Sequence, residues 1–229
     1  MTMGLIGLSI HEPDVALTDL GLAILGGYFG WRLKRSLDGK GQGEGAALRR
    51  AGLVIMLGLA SAALFGAIFH AFFPAKTASP PGRIAWIPVV LSIVTVAATL
   101  LWLALSLLVP RLSRGITRGL LLVYCLSFAV VALLVDDSFG GIVRFYGPVL
   151  ILILIAAVAQ MARTRSVAWA LIAGGFAISI VAALLQQAGV SIHPRYFNHN
   201  AVYHVVQGIA LVLLYHGFLR ADGWRNALP

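Results

Sequence analysis

Charge is scarce in this chain. Only 11% of its 229 residues are Asp, Glu, Lys or Arg, whereas soluble globular domains carry about 25%. Acids are scarcest, with 8 Asp+Glu against 17 Lys+Arg. A single cysteine, Cys125, rules out an intrachain disulfide and a cysteine-pair metal site. No Gly-rich phosphate loop, CxxC pair or Gly-x-Ser-x-Gly elbow occurs, so those signatures of nucleotide, redox and α/β-hydrolase chemistry are missing. No basic region precedes the first apolar run, which therefore reads as a spanning segment rather than a cleavable signal. What the chain has in abundance is hydrocarbon: 60% hydrophobic residues and a mean hydropathy of +0.93. A water-soluble core of this size could not hide that much apolar surface, so lipid is the implied solvent.

A spanning helix needs on the order of 20 mostly apolar residues. Seven stretches qualify, at about 15–33, 47–73, 84–109, 115–135, 139–162, 167–189 and 199–219. They predict an all-α, seven-helix transmembrane bundle forming a single domain over residues 1–229. The separators carry breaker chemistry: a glycine-rich loop at 39–45, three prolines within 74–82, and Pro110 and Pro194 at two further junctions. Residues 136–138 form the shortest hinge, which predicts that the fourth and fifth spans are antiparallel neighbours.

The net charge of +9 at pH 7 resides in short loops between apolar runs. That arrangement suits headgroup contact and topogenesis, and no nucleic-acid partner is expected. Thirteen of the 17 Lys and Arg follow spans one, three, five and seven; only Lys76, Arg83, Arg144 and Arg195 fall on the other side. The positive-inside rule then puts the N-terminus outside and the C-terminus in the cytoplasm, as in a multi-pass protein of a bacterial inner (plasma) membrane.

With that orientation the polar residues sort to one surface. His11, Glu12, Asp14 and Asp19 lie at the outer end of span one, His70 in the last turn of span two, and Gln186 and Gln187 at the end of span six. His193 and Arg195 occupy the following loop, and His199, Asn200 and His204 open span seven. Only His216 among six histidines belongs to the inner half. At about 1.5 Å per residue, Asp19, His70 and His204 fall in one shallow layer on three helices. Ionisable residues inside spans are costly and face the bundle interior, where they pair or line a functional site. Asn200, His204 and Gln207 share a helix face. His199 joins it only at the helix entrance, where Asn198 is a suitable N-cap.

These residues suggest a zinc site built from His70, His204 and one or both of His199 and Asn200, with Asp19 as supporting carboxylate or general base. Such a site would cleave a lipid-like amide or ester entering from the outer leaflet. Glu12, Asp14 and Asp19 could hold a second divalent cation, or else supply the acidic first turn that a helix dipole favours. The competing readings are histidines that merely bond neighbouring helices, a ligand-binding or transport protein without catalysis, and a haem held by His70 and His204. Asp136 and Asp137 read as a solvated turn, and Arg144 with Tyr146 as an interfacial pair. Gly26-Gly27 and Gly174-Gly175 suit close helix packing.

Phe69-His70 and the stretch Phe197-Asn198-His199-Asn200-Ala201-Val202-Tyr203-His204-Val205, on seven spans with the N-terminus out, resemble the CREST superfamily. That group includes the alkaline ceramidases and the progestin and adipoQ receptors. The resemblance implies a zinc held by one histidine on span two and two on span seven, and a lipid-amide substrate. The acidic segment Glu12, Asp14 and Asp19 is similar to the one preceding span one in alkaline ceramidases. Three positions depart from the pattern. His199 and His204 are five residues apart where the family has four, with Asn200 at the family spacing; Gly66 replaces a serine; and no aspartate lies between Arg83 and Leu108.

Overall fold

In hydrocarbon every backbone N–H and C=O must find its partner within the protein, and a helix does this within one segment. Each apolar run accordingly folds as a helix. The computed structural model describes residues 3–5, 8–40 and 45–221. Glu44, Asp222, Trp224 and Arg225 lie outside that set, as does most of the glycine-rich loop at 39–45. The helices are α1 Pro13–Lys40, α2 Ala46–Phe72, α3 Pro80–Leu108, α4 Arg114–Val130, α5 Phe139–Thr164, α6 Val167–Gln187 and α7 His199–Arg220. A π-helical turn, Val131–Val135, extends α4.

Starts and stops follow local chemistry. Ser79, Ser113, Ser138, Ser166 and Asn198 are N-caps whose side chains accept first-turn amides. Arg165, in the left-handed region at φ 51°, closes α5. Two three-residue strands, Met3–Leu5 and Leu8–Ile10, pair antiparallel ahead of α1, an element that hydropathy does not signal.

Six of the seven helices, α2 to α7 (α4 with its π turn), are long and apolar enough to cross a membrane. The exception is α1, which carries Asp14 and Asp19 in its first two turns and Arg32, Lys34, Arg35 and Asp38 near its end. Within the six, only 11% to 50% of the most apolar window is buried. Leu64, Leu91, Leu122, Leu134 and Leu184 all stand exposed on the outside. Water tolerates no such continuous apolar surface, and lipid requires it. The chain is a multi-pass membrane protein.

Helices α1, α2, α3, α5, α6 and α7 pack in that order into a closed ring, since α1 also lies against α7. Helix α4 sits outside the ring, its backbone nearest to α3. It reaches α5 through side chains, with Phe128 stacked on Phe145 at 5.1 Å between ring centroids and the Tyr124 hydroxyl donating to the Phe145 carbonyl. The fourth and fifth spans are thus joined by aromatic contact rather than by close helix packing. One glycine of each pair permits close approach. A Cβ on Gly26 would lie 3.1 Å from Ala60 of α2, and one on Gly175 would lie 2.6 Å from Leu214 of α7. Gly27 and Gly174 have no such contact.

Candidate functional site

The ring encloses a cavity of about 460 Å³. Its floor is apolar, formed by Leu59, Ile93, Leu150 and Leu211, and its mouth lies beside Lys76, Asp137 and His199. Between floor and mouth runs a polar layer containing Asp19, His70, Ser179, Gln186, Asn200, Tyr203, His204 and Gln207. The three ionisable residues that sequence depth placed together, Asp19, His70 and His204, therefore line one chamber from three helices.

Asp19 and His204 are each more than nine-tenths buried, and their side chains face each other. Asp19 Oδ1 lies 3.2 Å from His204 Nε2. The other ring nitrogen, Nδ1, is 3.0 Å from the Thr18 hydroxyl. Adjacent residues on one turn of α1 thus grasp the imidazole by both nitrogens. Room for the carboxylate comes from Gly66 on α2, where a Cβ would lie 2.8 Å from Asp19 Oδ2. The missing side chain at residue 66 thus leaves space that an aspartate from α1 fills.

His70 is held by the segment preceding α1. Its Nδ1 bonds the carboxylate of Glu12, whose second oxygen lies 3.2 Å from Lys76 Nζ. One residue earlier, the His11 amide donates to the Ala71 carbonyl at 3.1 Å, fixing the same segment to the end of α2. The hydrogen bond from His70, with the Lys76 ammonium beside it, holds the Glu12 carboxyl at about 2, below its ordinary 4.5, despite partial burial. A carboxyl whose folded pKa is depressed contributes stability in full above the unfolded value and loses it as pH falls through the folded one. The gap in melting temperature between wild type and Glu12→Gln should therefore hold constant down to about pH 4.5 and narrow below it. A gap that widens on acidification would contradict this assignment.

The other predicted residues have defined places. His199 is the first residue of α7 and lines the cavity near its mouth. Asn198 caps the helix as its spacing suggested, accepting from the Asn200 and Ala201 amides. The Asn200 side-chain oxygen accepts from Gln186 Nε2 at 3.0 Å, and Gln207 Nε2 donates to Ser179 at 3.1 Å. Asp14 Oδ2 accepts the Asn198 amide at 3.1 Å. Glu12 thus braces α2 and Asp14 braces α7, so the two acids serve different helices rather than one common point. His193 shapes the loop before α7, its Nδ1 accepting the amides of Arg195 and Tyr196. Sequence reading passed over Ser179 as Gln207's partner and gave Tyr146 an interfacial role. Tyr146 and Tyr203 both line the cavity, and their hydroxyls have no hydrogen-bond partner among the described residues.

Below its mouth the chamber offers two imidazoles, a carboxylate, two phenols and a hydrocarbon floor, and His199 and Asp137 add one imidazole and one carboxylate at the mouth itself. Nδ1 of each histidine is engaged, by Glu12 and by Thr18, and Nε2 of His204 meets Asp19, so a cation bound at His204 would be shared with that carboxylate. Among the described residues no three His, Cys, Asp or Glu side chains already converge on a single point. The donor types nonetheless suit zinc. Two ligands about 2.0–2.2 Å from one tetrahedral zinc stand roughly 3.3–3.6 Å apart, close to the 3.2 Å between His204 Nε2 and Asp19 Oδ1. A search of curated proteins gives no match to the chain. A family model does match, over residues 15–222, and by that match the protein belongs to DUF6962, a family of unknown function.

Proposed function

We propose that this protein crosses the membrane seven times, N-terminus outside and C-terminus in the cytoplasm, and uses zinc to hydrolyse a lipid-like amide or ester. The observation that carries the reading is the buried face-to-face pair His204–Asp19 in the same chamber as His70. The distribution of Lys and Arg supports the orientation. The site of α1 against α2 and α7 supports its being the seventh span despite its charges, because Asp14 and Asp19 are taken up by protein partners. The resemblance to the CREST superfamily points the same way.

Zinc would be held by His70, His204 and Asp19, with His199 in reserve at the mouth, and when bound it supplies a Lewis acid and acidifies a water. The protein does the remaining work. Leu59, Ile93, Leu150 and Leu211 receive an apolar chain and exclude water from the floor. The phenols of Tyr146 and Tyr203 are donors suited to a substrate oxygen. Glu12 and Thr18 hold the two imidazoles in place. An axial haem pair fits poorly, since His204 Nε2 faces Asp19 at 3.2 Å and a macrocycle needs an open face there.

Metal analysis of the detergent-purified full chain tests the reading. About one zinc per chain is expected in wild type, with its loss in both His70→Ala and His204→Ala. A wild-type protein that holds no zinc and cannot be loaded with it would overturn the hydrolase.

A further inference from the structure

Thr18 has one hydroxyl hydrogen and three neighbours competing for it. Its Oγ1 lies 2.9 Å from the Asp14 carbonyl oxygen, 3.0 Å from that of Val15 and 3.0 Å from His204 Nδ1. A hydroxyl donates once and accepts through its lone pairs. Donation to Nδ1 would leave Oγ1 facing two carbonyl oxygens at hydrogen-bond distance with no hydrogen for either. Donation to those carbonyls, the usual habit of a helical threonine, leaves a lone pair free to accept an N–H from the ring. Only the second arrangement, with the one hydroxyl hydrogen shared between the two carbonyls, accommodates all three contacts, and it places the His204 proton on Nδ1.

The consequence falls on the opposite nitrogen. With Nδ1 protonated, Nε2 of a neutral ring presents a lone pair to Asp19 Oδ1, 3.2 Å away. Two electron-rich atoms that close, both buried, call for a cation or a shared proton between them.

We propose that Thr18 is a positioning residue that fixes His204 as its Nδ1–H tautomer and so aims the Nε2 lone pair at the proton or cation it shares with Asp19. Glu12 does the same for His70 from six residues upstream. Residues 12–19 thereby act as one module: Glu12 presets the imidazole of α2, Thr18 presets that of α7, and Asp19 contributes the carboxylate. The identity of the cation rests on the zinc reading above, but the tautomer is defined without it.

Two measurements on the full chain in detergent separate these layers. Chelator competition should show zinc bound about 10–100-fold more weakly by Thr18→Val than by wild type, the usual range for loss of a ligand's outer partner. Thr18→Ser, which restores the hydroxyl, should bind like wild type. Equal affinity of Thr18→Val and wild type would overturn the positioning role. Nitrogen-15 spectra of labelled histidine in metal-free protein, with His204 assigned by its loss in His204→Gln, should show Nδ1 carrying the proton. An Nε2–H tautomer in wild type would overturn the proposal whatever the metal result. Absence of zinc from wild type would instead sink the metal reading and leave the tautomer to the spectra. Thr18→Val is nearly isosteric, and matched melting temperatures for Thr18→Val and Thr18→Ser would confirm that folding is not what is being read.

Discussion

Replacing Asp19 with leucine should cost the folded bundle about 3–5 kcal/mol, the penalty for stripping one partner from a buried pair. His204 would keep its place, 8% exposed, with Nε2 turned toward a hydrocarbon side chain. His204→Phe should be costly for the mirror reason, leaving a carboxylate against a phenyl ring. The double variant should be no worse than either single, because apolar groups of similar volume in place of a buried polar pair are often close to neutral. Thermal unfolding of the four proteins in one detergent measures this cycle. Additive losses would mean that the two side chains act independently and that the cavity lacks the central contact assigned to it.

Gly66→Ala is expected to remove the site while doing little to the helix that carries it. In a helix interior, alanine is preferred over glycine by about 0.8–1 kcal/mol, so propensity alone would make the variant more stable. The added methyl would lie 2.8 Å from Asp19 Oδ2 and 3.3 Å from its Cγ. Overpacking of that kind costs typically 1–3 kcal/mol, and a two-bond side chain can relieve it only by swinging out of its place beside His204. The two terms nearly cancel in the melting temperature, but they do not cancel in the site. Zinc affinity should fall by at least about tenfold, as for loss of a positioned ligand. Gly27→Ala is the control, since a Cβ there meets nothing within 4 Å. If Gly66→Ala retains wild-type affinity, Asp19 is not a ligand.

The helices were legible in the sequence because lipid removes ambiguity. A run long enough to cross hydrocarbon must be helical, and serine or asparagine caps with proline or glycine near the ends fix its limits to within a few residues, except in α1. That helix continues to Lys40, seven residues past the expected end, because a charged last turn carries no hydropathy signal. The depth of Asp19, His70 and His204 was legible for the same reason, since rise per residue converts position into height. Neighbour relations were not. Past Arg118 the sequence of α4 is almost wholly apolar, as it would be against either lipid or protein, so hydropathy could not show that α4 lies outside the ring. Azimuth within the polar layer was equally hidden. Nothing in the order of residues says that Glu12 reaches His70, that Gln207 reaches Ser179 or that Asn200 is occupied by Gln186. Gly66 is the instructive position, because it reads as a missing hydroxyl in the sequence and becomes legible as vacated space only once Asp19 is seen beside it.

The fastening of residues 11 and 12 to the far end of α2 has a practical consequence for handling the protein. Truncation past Glu12, or a protease nick between the hairpin and α1, would leave the seven helices intact yet free one imidazole to rotate. Affinity handles therefore belong away from this segment, and its integrity should be verified by mass spectrometry before any weakness in ligand binding is ascribed to the detergent.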